Sequence, residues 1–313
     1  MQFSKNLSMK MCLSSNGTYS LFFVLLVFLN FSCLTDDTSS YKISEDRIQQ
    51  LEEKDRLTLV DSVSKLVDTV FRIQCKDSKI EVFYRTSQKH TSLGTILLLP
   101  GWNFPSDDWC TKMKFCNRAT EAGYNLIMPQ MGKSMYAMDY YKETRQDFLK
   151  YPTRRWMNDT MLPFFQEKFG MLLEGQNNYV CGISTGGRGA MLLALDHPKI
   201  FKKGISMSGD FDPLSMKNDH LLNLYYGSYE KFKARWENND NAFLRLHELT
   251  IPYLILHGEA DRVVPPSQSS RFYEEARKRN MINVKCKMVK NAGHNYKFWT
   301  SQEQEVLNFI ETD

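Results

Sequence analysis

Apolar residues change their spacing along this chain. From Ile43 to Phe71 they recur at helical intervals (Ile48, Leu51, Leu57, Leu59, Val60, Val63, Leu66, Val67, Val70) with no Pro or Gly between them. This predicts an N-terminal helical extension over residues 44–75, packed on the domain C-terminal to it. In that domain, short apolar runs alternate with amphipathic segments. Ile80–Tyr84, Thr95–Leu99, Tyr124–Met128, Asn178–Cys181, Lys203–Met207, Tyr253–Leu256 and Val284–Met288 read as strands. Thr95–Leu99 is continuously apolar, so it is expected to be buried on both faces. Helices are predicted over residues 143–169, after Gly182 to about Asp196, over Ser267–Arg279 and over Ser301–Ile310. Such alternation implies an α/β domain over residues 76–313, a mostly parallel sheet of about 7–8 strands with helices on both faces. Phe211–Thr250 lacks a strong strand. It is expected to form a small cap-like insertion (residues 211–250) or a crossover helix with a long loop.

The first residues obey different rules. Leu21–Phe31 reads LFFVLLVFLNF, an uncharged run of 11 residues, whereas spanning a bilayer takes roughly 20. Lys5 and Lys10 precede it and Ser32-Cys33 come after, the order of an export signal with a small residue at the cleavage point. Asn30-Phe31-Ser32-Cys33 resembles a bacterial lipobox, which implies lipid on Cys33. Residues 1–33 are thus expected to direct export and residues 34–43 to form a polar tether. The protein would then be a membrane-anchored lipoprotein, periplasmic or on the cell surface. The net charge of +4 comes from 40 basic and 36 acidic residues scattered along the chain, so no nucleic-acid partner is expected. If Cys12 leaves with the signal and Cys33 carries lipid, Cys75, Cys110, Cys116, Cys181 and Cys286 remain, and at least one thiol is free. Cys110 and Cys116 are expected on one helix, about 9 Å apart along its axis and out of disulfide reach. There is no CxxC pair or His/Cys cluster, and neither metal nor cofactor is expected.

The chemistry gathers where predicted strands end. Gly182-Ile-Ser184-Thr-Gly186 is a G-x-S-x-G motif between a strand and a helix. The turn it implies is so tight that only glycines fit beside the serine, and it presents Ser184 at the helix N-terminus, where negative charge is favoured. A serine needs a base to become a nucleophile. Of the six histidines, His294 lies in the loop between the last strand and the last helix, while His197 and His257 read as local capping or packing groups. The imidazole needs an acceptor on its other nitrogen. Asp261, on the loop after the strand Tyr253–Leu256, is favoured over Asp210, which lies after the preceding strand. An oxyanion needs two preorganised N–H donors. Thr185 supplies one, and the loop Leu99-Pro-Gly-Trp-Asn103 the other, from Trp102 or alternatively Asn103. Asn103, Trp109, Tyr136 and Phe211 are candidates to line a substrate pocket.

The pieces GISTGGRGA, HGEADRVVPP and NAGHNY, in that order, resemble the α/β-hydrolase superfamily across about Ile80–Ile310. Met135-Tyr-Ala-Met-Asp-Tyr-Tyr, GISTGG and His197-Pro-Lys-Ile-Phe are similar to the esterase group that includes S-formylglutathione hydrolases and mycolyltransferases. The HGEADRVVP loop is similar to dienelactone hydrolases and prolyl-oligopeptidase-like enzymes. Thr185 stands where the esterase group usually has Met, and Pro100 where many members have His. The resemblance implies a serine hydrolase cleaving a small ester or acyl substrate through an acyl-serine, with a peptidase or an acyltransferase as alternatives. A non-catalytic binding protein on the same fold is a fourth reading, disfavoured because all three triad residue types are present.

Overall fold

The computed structural model describes residues 68–312. The export segment, the tether and most of the expected helical extension lie outside them. The described part of that extension is not helical. Thr69–Cys75 is a strand, β1, that turns through Lys76 and Asp77 into β2 (Ser78–Arg85), pairing Thr69 with Tyr84 and Cys75 with Ser78. The spacing misleads here because a short apolar stretch suits both periods. Its neighbour decides: Ile73 and Cys75 are buried, and Arg72 pairs with Glu81 across the hairpin at 3.0 Å on the exposed side.

The remaining strands are β3 (Gly94–Leu99), β4 (Tyr124–Pro129), β5 (Asn178–Ile183), β6 (Lys203–Met207), β7 (Tyr253–Gly258) and β8 (Val284–Val289). They form one eight-stranded sheet in the order β1-β2-β4-β3-β5-β6-β7-β8. The β1–β2 and β2–β4 pairs are antiparallel, and all the others parallel. The core lies on both faces. Leu97 and Leu99 belong to one apolar cluster and Ile96 and Leu98 to the other, so an unbroken apolar run is buried twice over.

Helices α1 (Asp108–Thr111) and α2 (Phe115–Ala122) occupy the β3–β4 crossover. They are separate, contrary to the expectation of one helix. Lys112 and Met113 N–H both donate to Asp108 O at 3.0 Å, and Lys114 N–H turns away to the buried Glu303 carboxylate at 2.8 Å. The break brings the Cα atoms of Cys110 and Cys116 to 4.9 Å, and the two form a disulfide.

The helix expected over residues 143–169 also starts later than its pattern suggests. Pro152 disfavours helix in the residue before it. Thr153 then caps α3 (Arg154–Trp156), which runs through a π-turn at Met157–Met161 into α4 (Leu162–Phe169). Upstream of Pro152 there is only a 3₁₀ turn, Gln146–Phe148. Next come α5 (Thr185–Asp196), α6 (His220–Tyr226), α7 (Lys233–Trp236), α8 (Ser267–Lys278), α9 (Tyr296–Ser301) and α10 (Glu303–Glu311).

Residues 211–250 hold α6, α7 and two 3₁₀ turns, and no strand. Leu222, Tyr225, Tyr226 and Trp236 join a third cluster with Met135, Ala137 and Phe148, while Phe211, Ala242, Leu246 and Leu249 belong to the first. Fully buried Arg154 ties the segment down through Asp240 at 2.9 Å, and also reaches Asp196 at 3.2 Å. Among the described residues no helix is long and apolar enough to cross a membrane.

Candidate active site

Ser184 lies between β5 and α5 with φ 55° and ψ −127°, a left-side conformation that costs energy for a residue with a side chain. Two glycines make this turn possible. A Cβ on Gly182 would lie 1.9 Å from Gly186 O, and one on Gly186 would lie 2.3 Å from Leu99 O. Ser184 N–H is held by Met207 O of β6 at 2.9 Å, and Ser184 O accepts from Gly187 N–H at 2.8 Å. The hydroxyl therefore sits at the N-terminus of α5 beyond the carboxyl end of the sheet.

His294 arrives from the far end of the sheet, on the loop between β8 and α9. Asn295 caps α9, its side chain accepting from Phe298 N–H at 3.0 Å, and the His294 ring meets the Trp299 ring edge-on with centroids 5.1 Å apart. Trp299 is anchored in turn by its indole N–H, which donates to Ser208 Oγ at 3.2 Å. This brings His294 Nε2 to 2.8 Å from Ser184 Oγ, while Nδ1 stands 2.7 Å from Asp261 Oδ2. An ionised carboxylate only accepts, so Nδ1 carries the proton and Nε2 is free to accept from the hydroxyl.

Asp261, buried on the loop after β7, also accepts on Oδ1 from Val263 and Val264 N–H at 2.8 and 2.9 Å. Burial by itself raises its pKa, but the hydrogen bonds from His257 and His294 outweigh it and hold the carboxyl well below the usual carboxylate range. Asp210, the competing acid, turns instead to the buried Arg188 guanidinium. Glu259 is exposed.

The β3–α1 loop passes directly beside the serine. A Cβ on Gly101 would come within 3.1 Å of Ser184 Cβ. Asn103 N–H is already committed to Gly132 O at 2.8 Å, whereas no acceptor among the described residues engages Trp102 N–H. Thr185 opens α5, where the first N–H groups have no intrahelical partner.

Three expected pocket residues do not line a site. Trp109 (0% exposed) and Phe211 (1%) are core side chains packed against Phe115 and Phe272. Tyr136 (1%) is buried against Gly189, and its hydroxyl donates to Pro100 O at 2.7 Å, so it braces the Gly101–Trp102 loop from behind. Each is an aromatic side chain near the sheet's edge in sequence whose ring points inward. Asn103 is exposed. His257, expected to act only locally, reaches Asp261; its one sequence signal is its place four residues before that carboxylate. Among the described residues no group of three His, Cys, Asp or Glu side chains could hold a metal ion.

The model of the prolyl oligopeptidase family matches residues 120–312, a stretch that includes Ser184, Asp261 and His294. The chain belongs to the prolyl oligopeptidase family. Its mostly parallel eight-stranded sheet with helices on both faces is that of the α/β-hydrolase fold. The chain is also 26% identical over 171 residues to the diacylglycerol acyltransferase/mycolyltransferase Ag85B of Mycobacterium avium, covering 50% of this chain and 47% of that protein. It thus spans about half the length of the curated relatives it matches. Among solved structures it resembles FphF, a fluorophosphonate-binding serine hydrolase of Staphylococcus aureus (TM-score 0.64, 14% identity, 79% of this chain and 98% of that one). It also resembles an S-formylglutathione hydrolase from Agrobacterium tumefaciens (TM-score 0.62, 20% identity, 78% and 94%). At these identities the likeness to the two structures is one of fold.

Proposed function

We propose that this member of the prolyl oligopeptidase family hydrolyses carboxylic esters through an acyl-serine intermediate. The observation that carries the reading is the unbroken chain Ser184 Oγ, His294 and Asp261, with links of 2.8 and 2.7 Å. Ser184 attacks the ester carbonyl as His294 Nε2 takes its proton. Asp261 keeps the imidazole in the tautomer that can accept, and stabilises the imidazolium. The N–H groups of Trp102 and Thr185 receive the oxyanion. His294 then returns the proton to the leaving alkoxide, and water repeats the sequence on the acyl-serine.

Transfer of the acyl group to an alcohol would use the same residues, and the Ag85B relative favours keeping it as a second reading. A panel of small esters set against aminoacyl anilides, with and without an added alcohol acceptor, tests the assignment. Ester cleavage is expected. Anilide cleavage without ester cleavage would point to a peptidase instead, and alcohol ester formed at the expense of free acid to a transferase.

The enzyme is further proposed to be exported and held at a membrane surface by lipid on Cys33. The apolar run ending at Phe31 supports this, and so does the Cys110–Cys116 disulfide, a bond that persists in oxidising compartments. An intact mass of membrane-extracted protein matching an unmodified Met1 start would refute it.

A further inference from the structure

His257 is the penultimate residue of β7 and is fully buried. It stands outside the Ser184–His294–Asp261 chain, yet its Nε2 lies 3.3 Å from Asp261 Oδ2, the same oxygen that accepts from His294. The same Nε2 is 3.1 Å from Val264 O. A carbonyl and an ionised carboxylate can only accept, so Nε2 carries the proton. Nδ1 is then bare and accepts from the hydroxyl of Ser269, a buried residue of α8, at 2.7 Å. Asp261 Oδ1 receives Val263 and Val264 N–H. A carboxylate offers about four acceptor positions, and each oxygen of Asp261 faces two N–H groups.

Resting on the reading of Asp261 as the group that orients His294, we propose that His257 is a positioning residue for the reaction, its Nε2–H sharing Asp261 Oδ2 with His294 and fixing the rotation of the carboxylate. The second donor also draws charge from that oxygen. Without it the carboxylate is more basic and binds the His294 imidazolium more strongly. The ionisable side chains that act on this carboxylate are the two histidines. A histidine that merely filled space between β7 and α8 would affect folding and leave the pH profile in place.

The test is hydrolysis of p-nitrophenyl acetate across pH by the full chain as wild type, His257→Leu, His257→Gln and Ser184→Ala, with thermal unfolding of each. His257→Leu is expected to lower kcat/KM roughly 10–100-fold and to move its acid limb to higher pH. His257→Gln keeps an N–H for the same oxygen and recovers most of both. Where His257→Leu does not fold, Ser269→Ala carries the test. It removes the donor to Nδ1, weakens Nε2–H as a donor and moves the limb the same way by less. An unmoved acid limb in the folded variants, with Ser184→Ala inactive, overturns the role of His257. Activity surviving in Ser184→Ala overturns the reading of the site on which that role rests.

Discussion

Ser184 and the segment 211–250 leave the same edge of the sheet, but they are held by different interactions. Ser184 is placed by main-chain geometry: a positive φ, two glycines that admit neighbouring backbone, and a bond to Met207 O. The segment is placed by side chains: Arg154 on Asp240, and the aromatic cluster of Phe148, Tyr225, Tyr226 and Trp236. The first arrangement leaves little freedom within a few residues of sequence. The second depends on partners such as Arg154 and Asp240, far apart along the chain. Changes at the first should therefore cost activity with little loss of stability, and changes at the second the reverse.

The largest effect is expected from Ser184→Ala, a loss of kcat on the order of 10⁶-fold with the melting temperature held or raised, since the strained position gains a smaller side chain. Loss of stability with retained activity would break the comparison outright. Asp261→Asn should rank second, with a fall of about 10⁴-fold because the amide can present the wrong group to His294; pre-steady-state kinetics would place it in acylation.

On the other side, Arg154→Met should cost about 3–5 kcal/mol in urea unfolding and little kcat per folded molecule. Its pH dependence is specific. Burial raises the Asp240 pKa, and Arg154 is the first group opposing that rise. Without the arginine the folded pKa climbs farther above the unfolded one, so the charged form carries the penalty. The deficit should be greatest near neutrality and close as pH falls toward about 4. A deficit that grew with acid would contradict the pairing.

The smallest effect belongs to the disulfide. Cys110→Ser should lower stability by about 2 kcal/mol under non-reducing conditions. It should lower kcat/KM only modestly, because Asp108 of α1 accepts from Tyr296 next to the histidine loop.

The same division explains what the sequence discloses. β3, β5 and β7 are legible because their apolar runs are continuous, and Gly182, Ser184 and Gly186 because a local steric demand dictates them. β1 is not, since Val70, Phe71 and Ile73 suit a helix until β2 pairs with them. Nor is the disulfide, whose geometry depends on Glu303, 189 residues away, capturing Lys114 N–H. Trp109, Tyr136 and Phe211 look like pocket residues in one dimension, and only packing turns their rings inward. His257 lies in the same short segment as Asp261, but its tautomer is set by Ser269 and Val264.

The convergence of the three side chains is tested most directly by treating the full chain with a fluorophosphonate and mapping the adduct by peptide mass spectrometry. A single adduct on Ser184, abolished in Ser184→Ala and strongly slowed in His294→Ala, is the predicted result. An adduct on any other residue, or labelling of Ser184 at an undiminished rate without His294, would contradict it.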